Sequence, residues 1–157
     1  MTSQTNFQTT LKAIGTVRSP ATEPVDQDWG HVTAEIHLNQ ELAPGLRGLE
    51  QFSHAIIVFL MHRATFEPAT DLVRRPQGRP EMPKIGIFAQ RAKHRPNPIG
   101  VTAVQILDVT DNVLKIKGLD AIDGTPILDI KPYFPLFDRL NQPATPPWVN
   151  ELMQSYF

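Results

Sequence analysis

Fifteen prolines are spread along 157 residues, none of them in a low-complexity tract, which is about twice the usual share of ~5%. Proline removes a backbone donor, and its ring collides with the preceding helical turn. Long helices and coiled coils are therefore excluded, whereas short strands joined by shaped loops tolerate that spacing. The length suits one domain on a prior of roughly 100–200 residues each. With 41% hydrophobic and 20% charged residues, the chain can bury a core and remain soluble. A disordered chain would pair low hydrophobicity with high net charge.

Side-chain alternation picks out the strands. Lys12 to Arg18 alternates and carries β-branched residues, ending at Ser19-Pro20. Val32, Ala34, Ile36 and Leu38 share one face, with Thr33, Glu35 and His37 on the other, the period of two of a half-buried strand. Ala55 to Met61 is continuously apolar, as expected of a strand covered on both faces. Strand character returns at Lys84–Ala89, Gly100–Val109, Val113–Lys117 and Ile127–Ile130. Pro44 to Leu49 reads as a turn or short helical piece. From Arg63 to Lys84 the pattern dissolves into a long, basic, mobile loop with four prolines and four arginines; connections of that length are usually functional or disordered. The segment from Pro146 to Tyr156 predicts a short helix with proline at its start, docking through Trp148, Leu152 and Tyr156. The expected fold is mainly β: a single small β-barrel of about seven strands, with a long loop and a short C-terminal helix. No internal repeat or second-domain boundary is visible, so residues 1–157 read as one domain.

No apolar run approaches the ~20 residues that cross a bilayer, and the polar N-terminus lacks a basic-then-apolar signal pattern. Absence of cysteine excludes a disulfide framework, a thiolate nucleophile and a cysteine-based zinc site. A cytoplasmic location is the expectation.

A net charge of -1 hides an uneven distribution. Residues 1–60 carry -3, residues 61–100 carry +5 and residues 101–157 carry -3. A basic block in a neutral chain is an anion or nucleic-acid footprint, or else a solvated arginine-rich loop. Its centre is Arg91-Ala92-Lys93-His94-Arg95-Pro96-Asn97-Pro98. Arg95 and Asn97 each precede a proline and are pushed toward extended backbone. Such a stiff loop can hold an arginine fork and an amide in place at a reduced ordering cost.

A second segment runs Gly118-Leu119-Asp120-Ala121-Ile122-Asp123-Gly124-Thr125-Pro126. Its two carboxylates suit an ammonium group or a ribose diol, but capping of the turn is the favoured reading on spacing alone. No His/Asp/Glu pattern with ligand spacing surrounds them, so no metal is expected. A third segment is Phe52-Ser53-His54 followed, after the apolar strand, by His62-Arg63, placed to touch a ligand at a barrel rim or to serve as satisfied structural histidines. The chain lacks a glycine-rich phosphate loop, GxSxG and HExxH, and has no GxGxxG fingerprint, so a cofactor site is not of Rossmann type.

Together these segments resemble the TsaA/TrmO family of YaeB-like tRNA methyltransferases. The matching pieces are Ile14-Gly15-Thr16-Val17-Arg18-Ser19-Pro20, Gly48-Leu49-Glu50-Gln51-Phe52-Ser53-His54, the Arg91 to Gly100 loop with Arg-Pro-Asn-Pro-Ile-Gly, and Leu119 to Tyr133 with Asp-Gly-Thr-Pro. The resemblance implies a barrel core over about residues 12–138 and a C-terminal tail, 139–157, with S-adenosyl-L-methionine bound near a homodimer interface. It implies N6-methylation of threonylcarbamoyl-adenosine beside the tRNA anticodon. By the same resemblance the cofactor contacts fall at Asp26, Gln27 and Asp28, at His62 and Arg63, at Arg91 and Val101, and along Asp120, Ala121, Ile122 and Asp123. Lys93, Arg95 and Asn97 then face the cofactor tail or the RNA. A base for the N6 proton is open among His94, His62 and Asp123. Longer members of the family carry a C-terminal domain, and this chain is expected to be a short, single-domain member. Its Val25-Asp26-Gln27-Asp28-Trp29 loop is acidic, which opposes phosphate. A small-molecule acceptor or a non-catalytic, cofactor-binding regulator are the competing expectations.

Overall fold

Alternation along the strands drives one face of each inward: Val17, Ala34, Ile36, Leu38, Ala55, Ile57, Phe59, Val104, Leu114, Ile116 and Ile127 are all buried and form one continuous core. The computed structural model describes residues 4–157. In chain order its elements are β1 (Gly15–Arg18), β2 (Thr33–Leu38), β3 (His54–Leu60), α1 (Pro68–Asp71), β4 (Val73–Arg74), β5 (Ile85–Gly86), β6 (Ile99–Thr110), β7 (Val113–Lys117), β8 (Pro126–Pro132), α2 (Pro135–Asp138) and α3 (Pro147–Leu152), with 3-10 turns between them. Strands β1-β2-β7-β6-β3-β8 form a closed barrel. Every pair in it is antiparallel, and β1 closes the ring by pairing Gly15 with Ile127 of β8. Closure removes the unpaired edges that an open sheet leaves available for aggregation.

Strand β6 is long enough to serve two neighbours. Ile99–Gln105 pairs with β3, and Gln105–Thr110 pairs with β7. A register shift between Ile106 and Asp108 is the kind of irregularity that bends a strand and raises its twist. Two glycines allow close approach in the wall. A Cβ on Gly15 would lie 2.4 Å from the carbonyl oxygen of His37, and one on Gly100 would lie 2.3 Å from the ring of Phe59.

The mainly β barrel expected from the sequence forms, with six strands in its wall. The segment Lys84–Ala89 is not one of them. Only Ile85–Gly86 is extended, pairing with β4 in a two-stranded ribbon, and Ile87–Ala89 is a 3-10 turn. Apolar alternation cannot distinguish a wall strand from one that pairs in a separate ribbon. The long connection expected to be mobile instead has its own structure: α1, the ribbon and the buried side chains of Met82 and Ile87. Buried Gln90 staples it through Nε2 to the carbonyls of Arg74 (2.8 Å) and Ile85 (3.0 Å). Strand β3 is fully covered on one face only, because Ile56, Val58 and Leu60 point away from the barrel interior and remain half-buried. The C-terminal helix ends at Leu152, so Tyr156 lies in the turn beyond it.

Antiparallel order dictates where the loops fall. β1, β7 and β3 end at the rim where β2, β6 and β8 begin. The connections 19–32, 61–98 and 118–125 therefore gather at one end of the barrel.

Candidate functional site

All the candidate binding residues lie in those three connections, except Val101, which sits near the start of β6. The acidic loop is organised around Trp29, which is buried and donates its indole N–H to the Val25 carbonyl at 2.8 Å. Asp28 adopts a left-handed backbone with φ 61°, a conformation that aspartate tolerates better than most residues. Asp26, Gln27 and Asp28 are exposed around that anchor.

The basic loop and the acidic turn meet through β6. The Arg91 guanidinium donates to the Val101 carbonyl. On the next residue, the Thr102 hydroxyl donates to Asp120 Oδ1. The other carboxylate oxygen of Asp120 accepts the Tyr156 hydroxyl at 2.5 Å. Burial pushes the Tyr156 phenol well above the usual tyrosine range, the charge and hydrogen bond of Asp120 add to this, and Asp26 contributes further. Arg91 opposes the shift. Two carboxylates and a guanidinium, from three other stretches of sequence, thus bear on the Tyr156 phenol.

The paired acids of the turn have different surroundings. Asp123 accepts the Ser19 N–H at 3.0 Å through Oδ1, and its own N–H donates to the Ala21 carbonyl at 2.7 Å. It is a staple between connections, in keeping with the turn-capping reading. Asp120 instead joins the charged cluster, and Ala121 and Ile122 between them are buried.

The proline-stiffened loop is held largely by itself. Arg95 donates through Nη1 to the carbonyls of Gln90 (2.9 Å) and Ala92 (3.2 Å), so one nitrogen of its fork clamps the loop. Lys93 is half-buried and Asn97 exposed. His94 Nδ1 lies 2.8 Å from the Thr65 carbonyl, and the Met61 N–H donates to the Pro98 carbonyl at 2.8 Å. These contacts bring His62 and Arg63 alongside the loop. Arg63 also reaches the Thr22 carbonyl at 3.2 Å, tying this side to the acidic connection.

Sequence reasoning missed Thr102 as a site neighbour and assigned Tyr156 only to docking. A threonine inside a strand carries no signal of its own, and the position of Tyr156 depends on the path of the tail. A concavity of about 560 Å³ opens elsewhere, at the opposite rim, lined chiefly by Ile14, Leu38, Leu46, Leu49 and Phe52. It contains none of the candidate residues. Among the described residues no group of three His, Asp or Glu side chains could hold a metal ion, and no helix is long and apolar enough to cross a membrane.

Comparison with known proteins places this architecture. The family model described as the tRNA-methyltransferase O N-terminal domain matches residues 18–139. A probable S-adenosyl-L-methionine-binding protein of Pyrococcus abyssi is 40% identical over 81% of this chain and 69% of its own length. The tRNA (adenine(37)-N6)-methyltransferase of Escherichia coli is 40% identical over 83% of this chain and 60% of its own length. The crystal structure of TrmO from Pseudomonas aeruginosa superposes with a TM-score of 0.74 at 29% identity, covering 92% of this chain and 64% of that one. The chain therefore spans somewhat under two thirds of the last two.

Proposed function

The chain belongs to the tRNA-methyltransferase O N-terminal-domain family, and from that premise we propose that it is an S-adenosyl-L-methionine-dependent methyltransferase acting on N6 of threonylcarbamoyl-adenosine in tRNA beside the anticodon. The observation that carries this reading is the meeting of Arg91, Val101, Thr102 and Asp120 at one rim. The chemistry of that set fits the donor. Arg91 suits its carboxylate, Asp26 and Asp120 suit its ammonium group or ribose diol, and exposed Val101 and the buried Ala121 and Ile122 suit an adenine edge. His62, Arg63, Gln27 and Asp28 complete the donor-binding set, with Asp123 holding the turn that carries Asp120, while Lys93, Arg95 and Asn97 serve the acceptor side. The work is done by a single domain with its core at about residues 12–138, as a cytoplasmic homodimer.

When bound, the donor supplies a methyl group on a positively charged sulfur. The protein has to align the acceptor nitrogen with that methyl group, which can lower the barrier by several kcal/mol, and to accept one proton. We assign that role to His94. With Nδ1 against the Thr65 carbonyl, its neutral ring carries the hydrogen there and leaves the Nε2 lone pair available.

The test is incubation of the protein with labelled methyl donor and bulk tRNA from cells that lack the family enzyme. Label in the RNA supports the reading, and label only in small molecules moves the acceptor to a metabolite. A second reading is a donor-binding regulator without catalysis, in line with the names of two further relatives. Proteins of Methanothermobacter thermautotrophicus and Archaeoglobus fulgidus, matched over 93% and 94% of their lengths, are named only for binding S-adenosyl-L-methionine. Donor binding by calorimetry with no labelled acceptor in any cell fraction would select it.

A further inference from the structure

The segment after β8 begins at the rim opposite the candidate site, where the Tyr133 N–H donates to the carbonyl of His54 at the start of β3. It then returns to the site and touches all three of the connections gathered there. In α3, Glu151 lies 3.8 Å from Arg79 of the 61–98 connection. Farther on, the Ser155 and Tyr156 carbonyls each accept at 2.8 Å, from the N–H groups of Asp28 and Trp29. Gly30 continues this close approach, since a Cβ there would lie 2.7 Å from the Phe157 carbonyl carbon. The third contact is the hydroxyl of Tyr156 on Asp120.

Asp120 is consequently held from two sides by neutral hydroxyls, Thr102 on Oδ1 and Tyr156 on Oδ2. An ionised carboxylate offers about four lone-pair sites, so two remain for a ligand while rotation of the group is blocked. A cation or diol meeting a preoriented acceptor loses less freedom on binding than one meeting a mobile, hydrated side chain.

We propose that Tyr156 is a positioning residue of the methyl-donor site, fixing the Asp120 carboxylate jointly with Thr102, and that the returning C-terminal segment forms a wall of that site. This rests on the donor reading above. The alternative for the same contact is a plug that competes with the donor for Asp120.

The experiment is calorimetric titration of S-adenosyl-L-methionine and of S-adenosylhomocysteine into the full chain, Tyr156→Phe, Thr102→Val and a chain ending at Gln154. Tyr156→Phe retains the ring and removes one donor. The expected result is Kd raised roughly tenfold, the scale of a hydrogen bond to a charged group, with binding stoichiometry and Tm close to those of the parent. Thr102→Val should behave alike, and the shortened chain should bind at least as weakly as Tyr156→Phe. A purely structural tyrosine would lower Tm and the competent fraction and leave Kd unchanged, which overturns the proposal. Tighter binding by the shortened chain overturns it in favour of the plug. If the parent protein binds neither ligand, the donor reading itself fails. If the parent binds and Tyr156→Phe binds equally well, only the role of Tyr156 falls.

Discussion

The guanidinium of Arg91 donates to the main-chain carbonyl of Val101, so the far end of the long connection is tied back to the strand that follows it. The tie spans the whole proline-stiffened loop and fastens the arginine one residue from Thr102, whose hydroxyl is bonded to the Asp120 carboxylate. The cationic and anionic halves of the candidate site are thus referenced to one piece of backbone. A planar fork on such a support keeps its direction with little added ordering cost.

Arg91→Ala is expected to raise the Kd for S-adenosyl-L-methionine at least tenfold, the scale of a lost charge-assisted contact, while Tm moves by a few degrees at most because the side chain is exposed. Paired calorimetry and thermal melts check this. Unchanged affinity in a folded variant would take Arg91 out of the site.

Asp120 and Asp123 differ in their partners, so neutralising them should have different effects. Asp120→Asn removes the negative charge and one of the two acceptor oxygens held by hydroxyls and should weaken donor binding more than tenfold. Asp123→Asn loosens the Ser19 contact and should leave affinity within about threefold, since a single neutral hydrogen bond is worth about 1 kcal/mol. Titration of both variants decides which acid of the turn carries function.

Much of the barrel was legible because its inward residues follow a period of two: Val32 to Leu38 was read within one residue of β2, and Val113–Lys117 coincides with β7. Lys84–Ala89 is misleading because Ile85 pairs in a ribbon of the long connection and Ile87 is buried in the turn after it, and local pattern does not encode what a strand pairs with. The site divides the same way. Charges on stiff loops around Arg91 and Asp120 stand out in the sequence, whereas Thr102 and Tyr156 enter only through the register of β6 and the return of the tail. Arg95 stands out in the sequence as a fork, and the fold adds that its Nη1 is bonded to two carbonyls of its own loop.

Gly15→Ala should destabilise the fold by about 1–3 kcal/mol, the range for forced overpacking. The added methyl would lie 2.4 Å from the His37 carbonyl oxygen, and that backbone cannot retreat without disturbing the β1–β2 register. Denaturant unfolding should show a lower midpoint with an unchanged slope. An unaltered midpoint would mean that the two strands separate more easily than their pairing implies.

Alkaline pH should lower stability through Tyr156. Burial, then the Asp120 charge and hydrogen bond, raise its phenol above the unfolded value near 10. A raised group contributes stability that is complete below the unfolded pKa and fades as pH climbs from there toward the folded one. Melts of the parent between pH 8 and pH 11 should therefore fall more steeply above about pH 10 than those of Tyr156→Phe. Parallel curves would show that the phenol is not protected.

His94→Gln tests the proton acceptor. The ring is fixed by Nδ1 at 2.8 Å from the Thr65 carbonyl, which orients Nε2 without involving any donor-binding residue. A positioned general base typically contributes 10²–10⁴-fold, so methylation of tRNA should fall by about 100-fold. Affinity for S-adenosyl-L-methionine should stay within about twofold, because no charged contact to the donor is removed. Glutamine can keep a hydrogen bond to Thr65, so the loop should hold and Tm should barely move. A variant that turns over at the parental rate would transfer the role to His62 or Asp123. A variant that loses donor affinity and turnover together would show that His94 supports the loop rather than the chemistry.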